Sequence, residues 1–284
     1  MIPLPIPSIT FEEVYDACTG SISDATLAGN HQSSKSALSI YADDYHASMS
    51  AASIHRFSQT PRLPISVTDV DMKNLYANKL RKKSSPGRIY YDRLRVSLPD
   101  HLCPFCGARL VASLDHYLPK TEYPYLAVTP TNLIPACGEC NNAKGSHVPT
   151  CVEDAFPHPY YESFDFIWLQ AHLIEATPAG IMFICDTAQA PDAQVSQRVT
   201  HYFEKLNLAS LYEIVAGRRL TEYSRILKPL DDCVGDSGIS PQGVKDFLQA
   251  LEPAFSDQPN HWNAALIRSL IASDWYCDGG FRSR

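Results

Sequence analysis

Nowhere does this chain carry the ~18 consecutive apolar residues that a bilayer span requires. Its first residues, Met1 to Pro7, have no basic region and are broken by proline at every second position. The expectation is a protein with neither a signal peptide nor a membrane partner. Also absent are a phosphate-cradling glycine loop, a nucleophile elbow and any internal repeat, which speaks against P-loop, serine-hydrolase and solenoid readings. Positive charge is scarce: Lys and Arg number 24 against 31 Asp and Glu, a net charge of −7. Cysteine is not scarce, but its nine copies are an odd number. Five are scattered (Cys18, Cys151, Cys185, Cys233, Cys277), which fits a reducing cytosol and a cytoplasmic location better than a disulfide framework.

The other four cysteines are not scattered. Cys103/Cys106 and Cys137/Cys140 form two Cys-x-x-Cys pairs, and each can close a knuckle offering two thiolates to one tetrahedral ion, so a structural Zn²⁺ is expected. Between and just after the knuckles stand Asp115, His116, Asn132 and Asn141, polar groups that a four-cysteine zinc site does not need. Hydrolysis of a phosphodiester needs a base for water and a divalent cation for the developing charge. Neutral histidine suits the first task near pH 7, while a carboxylate and an amide oxygen suit Mg²⁺. Adjacent residues on a regular strand point to opposite faces, so Asp115 and His116 can serve one site only where the strand breaks. Four cysteines in two knuckles also build modules that only bind nucleic acid or protein, and that alternative stands beside catalysis.

The run D-H-x-x-P-K (115–120) followed by N-L-I-x-x-C-x-x-C-N-x-x-K-G (132–145) resembles the HNH, or His-Me finger, endonucleases, in the subgroup with a structural four-cysteine zinc. The resemblance implies a ββα-metal core with His116 as general base, Asp115 and Asn141 on a catalytic Mg²⁺ or Mn²⁺, and Asn132 bracing the loop that positions the histidine. It further implies DNA as substrate and products with 5′-phosphate and 3′-hydroxyl ends, with an RNA-directed nuclease as an alternative. The family often has histidine where Asn141 stands, and some members use asparagine there. More faintly, basic helices ahead of the first knuckle and the segment Phe156 to Tyr160 are similar to HNH proteins of anti-phage systems such as Septu, which implies a regulatory partner such as an ATPase.

Charge is unevenly spread. From Lys73 to Arg95 eight basic residues face one acid, Asp92, leaving about −14 on the rest. With Tyr76, Tyr90 and Tyr91 interleaved, this segment reads as a phosphate-facing patch or a solvated face. Lys82, Lys83 and Arg88, with Lys120 and Lys144 of the motif, are the candidate nucleic-acid contacts.

Periodicity predicts helices over 11–18, 37–57, 68–83 (N-cap Thr68) and 88–98, the last stopping near Pro99. A strand at 110–114 should pair with 133–134, and a short helix should follow the second knuckle to Gly145. Beyond it, 164–174 and 181–185 read as a hairpin with Trp168 in its core, 192–206 and 209–227 as helices, 231–240 as a linker, and 241–251 and 260–272 as the last helices. The expected class is α+β. Its expected parts are a helical region at 1–100 with the basic segment 73–95, a ββα-metal core at 101–150, and a hairpin plus helices at 151–284.

Overall fold

The computed structural model describes residues 1–98, 100–233 and 238–283. The expected helix stop at Pro99 and residues 234–237 of the expected linker lie outside the described residues. The protein is a mixed α+β chain with two small two-stranded sheets. It packs as two compact units, one of 3–163 and the other of 164–284 with the first two residues. This division differs from the one read off the sequence, because the helical region and the cysteine-rich segment share one core.

In the first unit, helix α1 (Phe11–Thr19) opens on a capping box between Thr10 and Glu13, which satisfies N–H groups the helix itself leaves open. Helix α2 (Ala25–Ser50) starts at the N-cap Asp24, twelve residues ahead of the expected start. Its first third buries His31 and Ser34 where an apolar stripe would be looked for, so the period is visible only from Ala37 onward. Past Ser50 the chain turns through Ala52, whose φ of 50° is left-handed, and the expected continuation to Phe57 reduces to a 3₁₀ turn, Ile54–Arg56.

Helix α3 (Asp69–Leu75) is capped by Thr68 and Asp71. Instead of running on to Lys83 it widens into one π-helical turn, Tyr76–Leu80. Helix α4 (Arg88–Arg95) follows. Its start lies so close to the π turn that a Cβ on Gly87 would sit 2.6 Å from the carbonyl oxygen of Lys79 and 2.7 Å from Cys18 Sγ. Only glycine fits there.

Strand β1 (Ser113–His116) pairs antiparallel with β2 (Leu133–Ala136), with Asp115 opposite Ile134 and His116 opposite Leu133. Helix α5 (Gly138–Lys144) follows and ends at Gly145, whose φ of 57° favours glycine. Leu114 and Leu133 are buried in the same apolar cluster as Val14, Cys18, Leu38, Met72, Leu75 and Leu94. Each such side chain contributes about 1.5–3 kcal/mol on burial, so the hairpin leans on the helical core and does not depend on metal alone.

The second unit is built on β3 (Leu169–Ile174) and β4 (Gly180–Cys185), paired antiparallel from Leu169 opposite Cys185 to Ile174 opposite Gly180. Trp168, just ahead of β3, is buried against the rings of Tyr202 and Phe203. These lie on α6 (Ala193–Lys205), which is separated from α7 (Leu208–Cys233) by Asn207 in a left-handed conformation. Helix α7 carries Pro229 and runs into the stretch expected to be linker. Asp231 at its end makes a two-pronged ion pair with Arg282, both contacts at 2.6 Å. Helices α8 (Pro241–Gln249), α9 (Trp262–Ala272) and α10 (Asp274–Cys277) complete the unit. Of these, α10 has no period long enough to read in the sequence. No helix among the described residues is long and apolar enough to cross a membrane.

Candidate functional site

The cysteine knuckles set the position of α5, whose N-cap is Cys137. In the first, the N–H groups of Cys106 and Gly107 both bond to the carbonyl of Cys103, and Gly107 turns the chain at a φ of 61°. In the second, Cys137 is the N-cap of α5, and its sulfur accepts the N–H of Cys140 at 3.3 Å. Arg109 and Glu139 meet at 3.6 Å across the pair. All four sulfurs are buried and lie within 4.8 Å of one another, the one such grouping among the described residues. A zinc ion with Zn–S bonds of about 2.3 Å sets tetrahedral sulfurs about 3.8 Å apart. Four soft thiolates in a closed cage are the donor set zinc takes, so the cluster can hold one. The crowding shows in the thiols themselves. Hydrogen bonds among the sulfurs pull Cys106 and Cys137 down while pushing Cys103 and Cys140 up. A cation is what lets all four ionise together.

From this anchor α5 lays Asn141 against Ser113 at the start of β1 and Lys144 against His116 at its end. Leu114, Asp115, His116, Lys120, Asn141 and Gly145 line a cleft of ≈ 260 Å³ there. Asp115 and His116 both line this cleft, with His116 the last residue of β1 and still in register with Leu133. Asn132 is fully buried and holds the loop that follows β1. Its Oδ1 accepts the N–H of Leu118 at 2.8 Å, and its Nδ2 donates to the carbonyls of Leu118 and Leu126.

His116 is 5% exposed. Its Nε2 lies 3.0 Å from the carbonyl oxygen of Ala127. A carbonyl only accepts, so Nε2 carries the proton and Nδ1 keeps its lone pair. Burial, aided by the charge of Lys120, lowers the imidazole to about 3, and the ring is neutral throughout the physiological range.

Asp115, also 5% exposed, is pushed up to about 6 by burial against the opposing pull of Lys144. The Lys144 ammonium lies 3.2 Å from Asp115 Oδ2, a buried ion pair. Asn141 donates its Nδ2 to Ser113 Oγ at 3.2 Å, which leaves its Oδ1 available. A buried carboxylate and an amide oxygen in the lining of one cleft are oxygen donors of the kind a hard divalent cation takes.

Two expected nucleic-acid contacts are corrected by their surroundings. Lys144 is only 3% exposed. It donates to the carbonyls of His116 at 2.9 Å and Tyr117 at 3.1 Å besides facing Asp115, so it is an internal strut with nothing left for a phosphate. Arg88 is committed as well. Its guanidinium forks onto Asp92, with both bonds at 2.9 Å, and lies over the Tyr91 ring. Lys82 and Lys83 are exposed just past the π turn, and Lys120 stands at the cleft rim over the ring of Tyr76 at 5.6 Å.

Sequence reasoning missed the roles of Ser113, Lys144 and Tyr76 at this site. The last two are 28 and 40 residues from His116 in the chain, and no local pattern announces the contact. The two histidines that follow the motif, His147 and His158, do not line the cleft. His158 is fully buried, with Nδ1 accepting from the N–H of Tyr160 and Nε2 facing the Tyr45 hydroxyl, while His147 faces the carbonyl of Asp154.

No protein-family model and no solved structure matches the chain. It is 27% identical to protein ea31 of Escherichia phage lambda, a match that takes in 98% of this chain and 100% of that protein. Over 66 residues it is 35% identical to the Septu protein PtuB of Bacillus thuringiensis, spanning 22% of this chain and 26% of PtuB.

Proposed function

We propose that this protein is a metal-dependent endonuclease of the HNH type, hydrolysing phosphodiester bonds of DNA. The single observation that carries the reading is the cleft lined together by a neutral imidazole, a buried carboxylate and an amide, those of His116, Asp115 and Asn141. In this reading β1, β2 and α5 form the ββα-metal core. His116 accepts the proton of the attacking water on Nδ1, since the Ala127 carbonyl holds Nε2. Asp115 and Asn141 would hold a Mg²⁺ or Mn²⁺ ion, which supplies neutralisation of the charge that builds on the phosphate and leaving oxygens. The four cysteines, with zinc, fix where α5 presents Asn141. The partial likeness to PtuB supports placing the activity in bacterial defence; a regulatory partner such as an ATPase and a cytosolic setting, where thiols stay reduced, are part of the same proposal.

The test is cleavage of supercoiled plasmid, and in parallel of single-stranded DNA and RNA, by zinc-loaded protein with Mg²⁺, with Mn²⁺ or without either. Nicking or linearisation that requires the added ion is expected. A folded, zinc-loaded protein that cuts none of these substrates with either ion would sink the reading.

The exposed lysines give a second measurement. In Lys82→Ser/Lys83→Ser, two phosphate contacts disappear, and each contributes about 0.9 to the slope of log affinity against log salt. The slope for duplex DNA should flatten by about 1.8. Arg88→Ser should leave the slope alone, because that guanidinium already belongs to Asp92. An unchanged slope in the lysine variant would return the pair to ordinary surface charge.

A further inference from the structure

The Ala127 carbonyl fixes only one point of the His116 ring. Tethered at Cβ and by that hydrogen bond, the imidazole can still turn about the line joining the two, and the direction of Nδ1 turns with it. A second contact closes this freedom. The ring of Tyr76 meets His116 edge to face, with centroids 4.5 Å apart and planes at 66°, a preferred geometry for aromatic pairs. Tyr76 is 4% exposed and is the first residue of the π-helical turn, an element found often at functional sites. That turn is held at both ends. The Thr68–Asp71 capping box anchors α3 before it, and the close approach of Gly87 to Lys79 locks the chain behind it. On the same ring sits the ammonium of Lys120, so Tyr76 links the base to a cation at the cleft rim.

We infer that Tyr76, supplied by the N-terminal helices, is a positioning residue that fixes the orientation of His116 for proton abstraction. The inference rests on the hydrolytic role given to His116 above. What matters is the aromatic ring; the hydroxyl is dispensable. Misplacing a reacting group by about 1 Å can cost about a hundredfold in rate.

The experiment uses the full-length, zinc-loaded protein and the variants Tyr76→Leu and Tyr76→Phe, each checked for zinc content and thermal melting. Tyr76→Leu keeps apolar bulk and removes the ring; its kcat should fall about 10- to 100-fold with KM within about twofold of the parent. Tyr76→Phe should restore kcat to within about twofold. A readout independent of cleavage is the rate of His116 carbethoxylation by diethylpyrocarbonate, mapped by mass spectrometry. It should rise at least about tenfold in Tyr76→Leu and stay at the parent rate in Tyr76→Phe, since the ring packs against the imidazole. If the parent cleaves DNA and Tyr76→Leu matches it in both kcat and His116 modification, or if Leu and Phe variants lose kcat equally, the inference is overturned while the nuclease reading stands. If no protein cleaves but His116 modification follows the ring, the positioning holds and the nuclease reading falls.

Discussion

His116→Ala should leave a folded, zinc-loaded protein whose metal-dependent cleavage of plasmid falls by about 10²–10⁴-fold, the span that a positioned general base contributes. The loss should be selective because of where the imidazole sits. It closes β1 beside the cleft and spends its only proton on the Ala127 carbonyl. Truncation therefore removes the lone pair on Nδ1 together with one buried hydrogen bond, at about 1–3 kcal/mol of stability. The four sulfurs lie on other elements and should retain their ion. His158→Ala gives the contrasting result. That ring is fully buried and bonded at both nitrogens, so its removal should lower the melting temperature and leave the rate per folded molecule unchanged. Plasmid cleavage persisting undiminished in His116→Ala would place the activity elsewhere in the chain or in a contaminant.

Much of this site is legible in the sequence because its residues report through local chemistry. Two Cys-x-x-Cys pairs announce a metal whatever surrounds them, and Asn141 directly after Cys140 is placed by the helix that the knuckle starts. The Thr68 cap reads for the same reason, since a capping box closes within four residues. Long-range packing is not legible. Lys144 looks like a surface cation in a polar helix turn, and only the fold shows that two carbonyls at the end of β1 and the Asp115 carboxylate surround it. Arg88 looks like the centre of a basic patch until Asp92, one helical turn on, is seen to take both prongs of its fork. The break of α3 into a π turn has no compositional mark either; Tyr76 to Leu80 would suit an ordinary helix, and the contacts of that turn, Tyr76 with His116 and Lys79 with Gly87, lie outside it in the sequence.

Withdrawing zinc should separate what the metal holds from what the helices hold. Structural zinc in isolated knuckle peptides contributes about 10–16 kcal/mol at pH 7, as much as the whole stability of an ordinary domain. A hairpin standing alone would therefore unfold outright without it. Here Leu114 and Leu133 are locked into the core of α1 to α4, so the expected loss is local. With a zinc chelator, or in Cys137→Ser, amide exchange should accelerate across the knuckles and α5, at 101–112 and 137–147, while α1, α2 and the core face of α3 keep their protection. The serine variant loses a sulfur that both faces the other three and caps α5, and its exchange pattern should no longer respond to chelator. Cleavage should vanish in both cases even with ample Mg²⁺, because Asn141 and Lys144 ride on α5 while His116 stays on β1. Protection of α5 that persists in chelator would mean that apolar packing alone holds it, and cooperative loss of protection across α1 to α4 would mean that the cysteines support the entire unit. Activity surviving the local loss would detach Asn141 from the chemistry.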